Sequence, residues 1–239
     1  MTISHTSTTP NDNQTHHSHA GSSSARTFLL PQRGHLLSLM SILRDAGTTR
    51  ATFSSTTERI ADQLVNAALD LLPVEELAVT SPTGSTYYGA RQTQPLTSVS
   101  ILRAGASLDN AVRRAYTGPL TFGTILIQRD ETTTLPALLY SKLPPQIPSN
   151  AVLILEPMLA TGGSACCAID VLKDAGVPEE SIIFVNILSA RYGLDRLLST
   201  YPGLRVVTAA IDEALTARKE IDPGLGDFGD RFYGTGSKF

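Results

Sequence analysis

The stretch Ile154-Leu155-Glu156-Pro157-Met158-Leu159-Ala160-Thr161-Gly162-Gly163-Ser164 ends an apolar run on an acidic side chain and continues into a Gly-rich, hydroxyl-bearing loop. A helical pattern opens directly behind it. Helix starts leave backbone N–H groups unpaired and carry partial positive charge, so such a corner binds anions. Gly162 and Gly163 let the backbone come close to a phosphate, and the Thr161 and Ser164 hydroxyls can donate to its oxygens. The GxxxxGK[ST] pattern is excluded, because no Lys is present. An ordinary strand–turn–helix corner with Ser164 as N-cap fits the same letters about equally well.

Two arginines stand at comparable places. Arg103 follows the apolar run Ser98–Leu102, and Arg129 follows Gly123–Gln128. Carboxyl ends of strands are where open α/β sheets place ligands. One Arg there is usually a surface ion pair; two beside a phosphate-type loop point to a polyanionic ligand. Gly224-Leu225-Gly226-Asp227-Phe228-Gly229 matches GxGxxG by letter, but only ten residues remain after Gly229. No βαβ unit is available, so the dinucleotide reading fails. The expectation is a tight terminal turn with no helix behind it. With Phe228 and Phe232 it can wrap a small planar ligand through backbone groups.

These residues need a scaffold. A helix is expected over His35–Arg44. Ser55-Thr56-Thr57-Glu58 reads as a capping box ahead of Ile60, Ala61, Leu64, Val65, Ala68, Leu69 and Leu72 at helical spacing. Glu76–Thr80 and Thr86–Gly89 flank the turn Ser81-Pro82-Thr83-Gly84, which gives a hairpin or arm. Buried strands are expected at Ser98–Leu102, Gly123–Gln128, Ala137–Leu143, Ala151–Leu155, Ser181–Leu188 and Arg205–Ile211. Helices through Tyr116, over Ser164–Ala175 and over Arg191–Thr200 alternate with them. Continuous apolar runs between helices argue an α/β fold with a parallel sheet flanked by helices.

The chain has 239 residues, 41% hydrophobic and 17% charged, with a net charge of −3. Residues 1–25 are polar and expected to stay disordered, leaving one domain at 26–239. The tail histidines His5, His16, His17 and His19 read as part of that tail rather than as a metal site. A net negative charge excludes a protein that mainly neutralises nucleic-acid phosphates. No run spans a bilayer, and no leader pattern precedes Arg26, so no membrane partner and a cytoplasmic location are expected. The adjacent Cys166 and Cys167 read as helix filling in a reducing compartment.

Together these residues resemble the uracil phosphoribosyltransferase family. The resemblance rests on LRAG (Leu102–Gly105), EPMLATGGS (Glu156–Ser164) and the terminal Pro223–Thr235. Leu43–Asp45, Ser81–Gly84 and Ser141–Pro144 add to it, in register from about residue 30 onward. It implies a type I phosphoribosyltransferase fold with a small hood and a β-arm, the Pro82-Thr83-Gly84 hairpin being the candidate arm, and a homodimer or homotetramer. It implies uracil and 5-phospho-α-D-ribose 1-diphosphate as substrates, Mg²⁺ as cofactor held mainly through the diphosphate, and GTP as a candidate effector. Arg103 and Arg129 would meet the diphosphate, Glu156 the ribose hydroxyls, and Ala160–Ser164 the 5′-phosphate, with Pro157, Met158 and Leu159 in the same binding segment. Ile221, Gly226 and Phe228 would bind uracil through backbone groups, and Asp227 would reach the donor and its metal. Asp130–Thr134 is polar enough to close over the site, and Lys142 reads equally as a diphosphate contact or a solvated side chain.

Glu156 departs from the usual Asp, Phe228 from the small residue of many bacterial members, and the tail is extra. A regulatory protein that kept the fold without the reaction is the competing reading. Such domains erode the Gly-Gly loop and terminal Asp, and here both are intact. A phosphoribosyltransferase for another base would build its base site differently from Gly226-Asp227-Phe228.

Overall fold

Apolar runs that continue for five to nine residues are stable only when both faces of the sheet are covered, and two helical layers cover them here. The computed structural model describes residues 25–129 and 136–236. The expectations for the tail, its histidines and Asp130–Thr134 fall outside these. Strand β1 (Thr27–Leu29) leads into helices α1 (Gly34–Arg44) and α2 (Arg50–Leu69), then a hairpin of β2 (Glu75–Thr80) and β3 (Thr86–Arg91). Next come β4 (Leu96–Leu102), a 3₁₀ stretch at Ala104–Leu108, α3 (Asp109–Ala115), β5 (Leu120–Arg129) and β6 (Pro136–Lys142). β7 (Ala151–Leu155), β8 (Met158–Leu159), α4 (Gly163–Asp174), β9 (Ile182–Ala190), α5 (Arg191–Thr200) and β10 (Arg205–Asp212) follow. Short strands β11 (Ala214–Leu215) and β12 (Ile221–Asp222) precede the terminal helix α6 (Phe228–Tyr233).

The main sheet runs β1-β10-β9-β7-β4-β5-β6, with β8 added beside β9. All pairings are parallel except β5 with β6. Strand side chains alternate between two cores. Leu153 and Leu155 of β7 and Ile183, Val185 and Ile187 of β9 pack toward α1, α2 and α3. Val152, Ile154, Ile182 and Phe184 pack toward α4 and α5. That alternation explains why β7 and β9 are buried along their whole length and read as uninterrupted apolar runs.

Three expectations change. Helix α2 begins at Arg50, capped by Thr49, whose hydroxyl accepts the Thr52 N–H at 3.3 Å. The inward-facing Phe53, Thr56 and Thr57 are buried one to two turns ahead of Ile60, so burial carries the helix through the apparent capping box. β6 is an antiparallel edge strand paired to β5 alone, and Leu138, Leu139 and Tyr140 are exposed. The terminal turn does open into a helix. Asp227 caps it by accepting the Asp230 N–H at 2.9 Å, and Gly234 closes it at φ +73°. The β2–β3 hairpin stands as a separate two-stranded sheet with Tyr87 and Tyr88 exposed. No helix among the described residues is long and apolar enough to cross a membrane.

Candidate active site

Strand order reverses between β4 and β7. From β4 the chain proceeds outward to β5, whereas from β7 it proceeds the other way to β9 and β10. The loops leaving the carboxyl ends of β4 and β7 therefore part around a crevice, the place where open α/β sheets bind ligands. The first loop carries Arg103, and the second carries Glu156–Ser164. They touch closely: a Cβ added at Gly105 would lie 2.1 Å from the Leu155 carbonyl oxygen. Only glycine permits that approach. The Leu102–Arg103 peptide bond is cis.

The second loop is laid down along β9. Ile187 and Leu188 N–H groups both donate to the Pro157 carbonyl, at 2.9 and 3.0 Å. Gly162 takes φ +80° and serves as the N-cap of α4, without any side-chain cap. Ser164 thus lies inside the helix rather than capping it. The N–H groups of Gly162, Gly163 and Ser164 donate to no acceptor among the described residues. Donors left without an acceptor among the described residues at the start of a twelve-residue helix suit an anion.

A cleft of about 650 Å³ opens at the crevice, lined by Glu156, Met158, Ala160 and Ser164 on one side and Ile221, Gly226, Asp227 and Phe228 on another. Ala104 and Ile127 line it from β4 and β5, and Lys219 and Glu220 from the β11–β12 ribbon. Thr161, Gly163 and Ser164 also face a neighbouring cleft of about 630 Å³ with Tyr192, Arg196, Arg218 and Lys219. Pro157, Leu159 and Gly162 are buried and line neither cleft. Their contribution is to the backbone path of the loop.

The Gly224–Phe228 segment is held by groups whose partners the sequence did not show. Arg44 of α1 pairs with Asp212 at the end of β10 at 2.7 Å and donates to the Gly224 carbonyl at 2.8 Å. Asp212 in turn accepts the Gly224 N–H at 2.9 Å. Gly224 sits at φ +60°, where a Cβ would strike the Ile221 carbonyl at 2.2 Å. Arg231 is buried and donates to the carbonyls of Leu43, Leu225 and Asp45, and its guanidinium lies 4.4 Å from the Phe53 ring centre. Burial pulls the Arg231 pKa below the ordinary arginine value. Phe228 points inward, with ring centres 5.5 Å from Phe53 and 5.6 Å from Phe232. What Phe228 can offer the cleft is mainly backbone. The signal for Arg231 lay in the terminal motif and that for Arg44 in Leu43–Asp45, but Asp212 carried none.

Arg103 lies at the rim, with its side chain 58% exposed. Its guanidinium is 3.4 Å from the Thr235 hydroxyl and 3.9 Å from the Asp230 carboxylate. Arg129 ends β5 opposite Pro136, and only its backbone is described. Lys142 pairs with Thr124 in the middle of β5, is exposed and lines neither cleft, which favours the solvated reading. Asp109, at the start of α3, accepts the Ser100 hydroxyl at 2.5 Å, and burial pushes its carboxyl above the usual range. Burial also raises the thiols of Cys166 and Cys167, consistent with packing rather than chemistry.

The family model for uracil phosphoribosyltransferase matches residues 30–235. Uracil phosphoribosyltransferase 2 of Schizosaccharomyces pombe is 42% identical over 87% of this chain and 94% of its own length. The uracil phosphoribosyltransferase of Saccharomyces cerevisiae is 43% identical over 86% of this chain and 95% of its own length. Among solved structures, the AQ2163 protein from Aquifex aeolicus superposes with a TM-score of 0.78 at 27% identity, covering 88% of this chain and 99% of that one.

Proposed function

The chain belongs to the uracil phosphoribosyltransferase family, and from that premise we propose how its own residues divide the work. It is a pentosyltransferase that makes UMP and diphosphate from uracil and 5-phospho-α-D-ribose 1-diphosphate. One observation carries the reading: a single cleft joins the Glu156–Ser164 corner to the Gly226–Phe228 segment. A phosphorylated sugar and a planar base can therefore lie side by side.

The amides of Gly163 and Ser164, which have no acceptor among the described residues, take the 5′-phosphate, and Glu156 takes the ribose hydroxyls. Backbone groups of Ile221, Gly226 and Phe228 hold the base, so N1 of uracil faces the anomeric carbon. N1 displaces diphosphate through an oxocarbenium-like transition state, and Arg103 and Arg129 stabilise the leaving group as its charge grows. Uracil is itself a weak acid, so orientation and electrostatics suffice without a strong base.

Hard carboxylate oxygens of Glu156, Asp222 and Asp227 border the cleft, and no trio of His, Cys, Asp or Glu gathers into a cage among the described residues. That donor set fits Mg²⁺, a hard cation, which Asp227 would hold beside the bound donor. When bound, Mg²⁺ supplies positive charge to the departing diphosphate. We also propose a homodimer or homotetramer, supported by the exposed Tyr87 and Tyr88 on the β2–β3 arm. A cytoplasmic location and GTP as effector rest on the family resemblance and are open to fractionation and nucleotide titration.

The test of the assignment is Asp227→Asn. Asn caps helices as well as Asp does, so α6 and the fold should persist. Turnover should fall at least 100-fold; near-normal turnover would remove Asp227 from the mechanism.

A further inference from the structure

Helix α5 lies against the outside of the phosphate loop, backbone to backbone. A Cβ added at Gly193 would sit 2.3 Å from the Ala160 carbonyl oxygen and 3.3 Å from the Gly162 nitrogen. One added at Gly162 would sit 3.3 Å from the Gly193 carbonyl oxygen. One turn further along α5, the Arg196 guanidinium donates to the Thr161 carbonyl at 3.1 Å.

The Thr161–Gly162 peptide is trans, so its C=O and N–H point in opposite directions. Its orientation therefore matters. With its carbonyl held on the α5 side it leaves the loop face to the Gly163 and Ser164 amides; flipped, it would put there a carbonyl oxygen that repels a phosphate. Glycine at position 162 has little intrinsic preference between the two, because it occupies either φ sign readily. The bond to Arg196 holds the carbonyl on the α5 side, where Gly162 is buried, and leaves the amides of Gly163 and Ser164 at the cleft walls without an acceptor among the described residues.

We infer that α5 sets the conformation of the phosphate loop: Arg196 is a positioning residue that fixes the Thr161–Gly162 peptide plane, and Gly193 gives the space for it. This rests on the loop's assignment to the 5′-phosphate. Arg196 touches neither the base nor the diphosphate site. Its loss should therefore be read in one part of the substrate only.

The experiment compares the wild-type chain with Arg196→Ala, Arg196→Lys and Gly193→Ala. Binding of ribose 5-phosphate and of inorganic diphosphate is measured by calorimetry, alongside steady-state kinetics. Arg196→Ala should weaken ribose 5-phosphate and raise the donor KM by about tenfold, the scale of one charge-assisted hydrogen bond. Diphosphate binding, kcat and the uracil KM should stay within about twofold. Arg196→Lys, which keeps a donor, should recover most of the loss. Gly193→Ala should show the same pattern more strongly, with the thermal midpoint reporting whether it folds. A donor KM unchanged in Arg196→Ala, or equal weakening of diphosphate, would overturn the inference. Failure of the wild type to form UMP would instead sink the functional assignment, whereas the ribose 5-phosphate arm needs no turnover.

Discussion

The Tyr233 hydroxyl donates to the Arg103 carbonyl at 2.9 Å, tying the terminal helix to the loop that leaves β4. The Tyr233 ring also lies 5.6 Å from the Arg103 guanidinium. Two segments 130 residues apart in sequence thus meet at the rim of the cleft, one carrying the candidate diphosphate contact and the other the candidate base site.

Tyr233→Phe removes that hydrogen bond and keeps the ring. Stability should fall by about 1 kcal/mol. The donor KM should rise severalfold while the uracil KM changes less, since Arg103 is loosened and the Gly226–Phe228 backbone is not. Equal changes in both constants would contradict this division.

Arg44→Met should be more damaging. It would leave Asp212, 7% exposed, without its guanidinium partner and the Gly224 carbonyl without a donor. Arg44 is 26% exposed and Asp212 keeps the Gly224 N–H, so the loss should be about 1–3 kcal/mol, the cost of leaving a buried polar group without its partner. Denaturant unfolding measures the loss, and a change under 1 kcal/mol would show that the pair does not organise the Gly224–Phe228 segment.

Gly105→Ala places a methyl group 2.1 Å from the Leu155 carbonyl oxygen, a clash with backbone rather than with a flexible side chain. The loops after β4 and β7 must then separate. Turnover should drop more than 100-fold even at temperatures where the variant stays folded by circular dichroism.

Asp109 gives a pH signature. Burial raises its folded pKa above the ordinary 3.8, with the Ser100 hydrogen bond and Arg113 pulling less strongly the other way. The native state therefore keeps a proton that the unfolded chain releases, and stability falls as pH rises from about 3.8 through the folded pKa. Asp109→Asn removes this slope. The difference in unfolding free energy between wild type and variant should decline across that window and then level off; a flat difference would refute it.

The sheet, its helices and the phosphate corner were legible because each is written in a local pattern. Ala151–Leu155 is a continuous apolar run, and Gly162–Ser164 follows it directly. The pairing of the supports was not legible. Arg44 and Asp212 are 168 residues apart and meet only because β10 ends beside α1. Arg196 looks like any surface arginine on an amphipathic helix until Thr161 is placed against it. β6 misled because Ala137–Leu143 is apolar without being covered, and α6 was missed because six residues carry too little helical periodicity beside three glycines. Burial of Phe53 moved the start of α2, which no propensity scale would have done.

The central claim is most directly tested by product formation from 5-phospho-α-D-ribose 1-diphosphate, Mg²⁺ and a single base. Uracil should yield UMP and diphosphate in equal amounts, with cytosine, thymine, hypoxanthine and xanthine giving little or none. Binding of the ribosyl donor without UMP formation from uracil would contradict the account and leave a ligand-binding protein on an enzyme's fold.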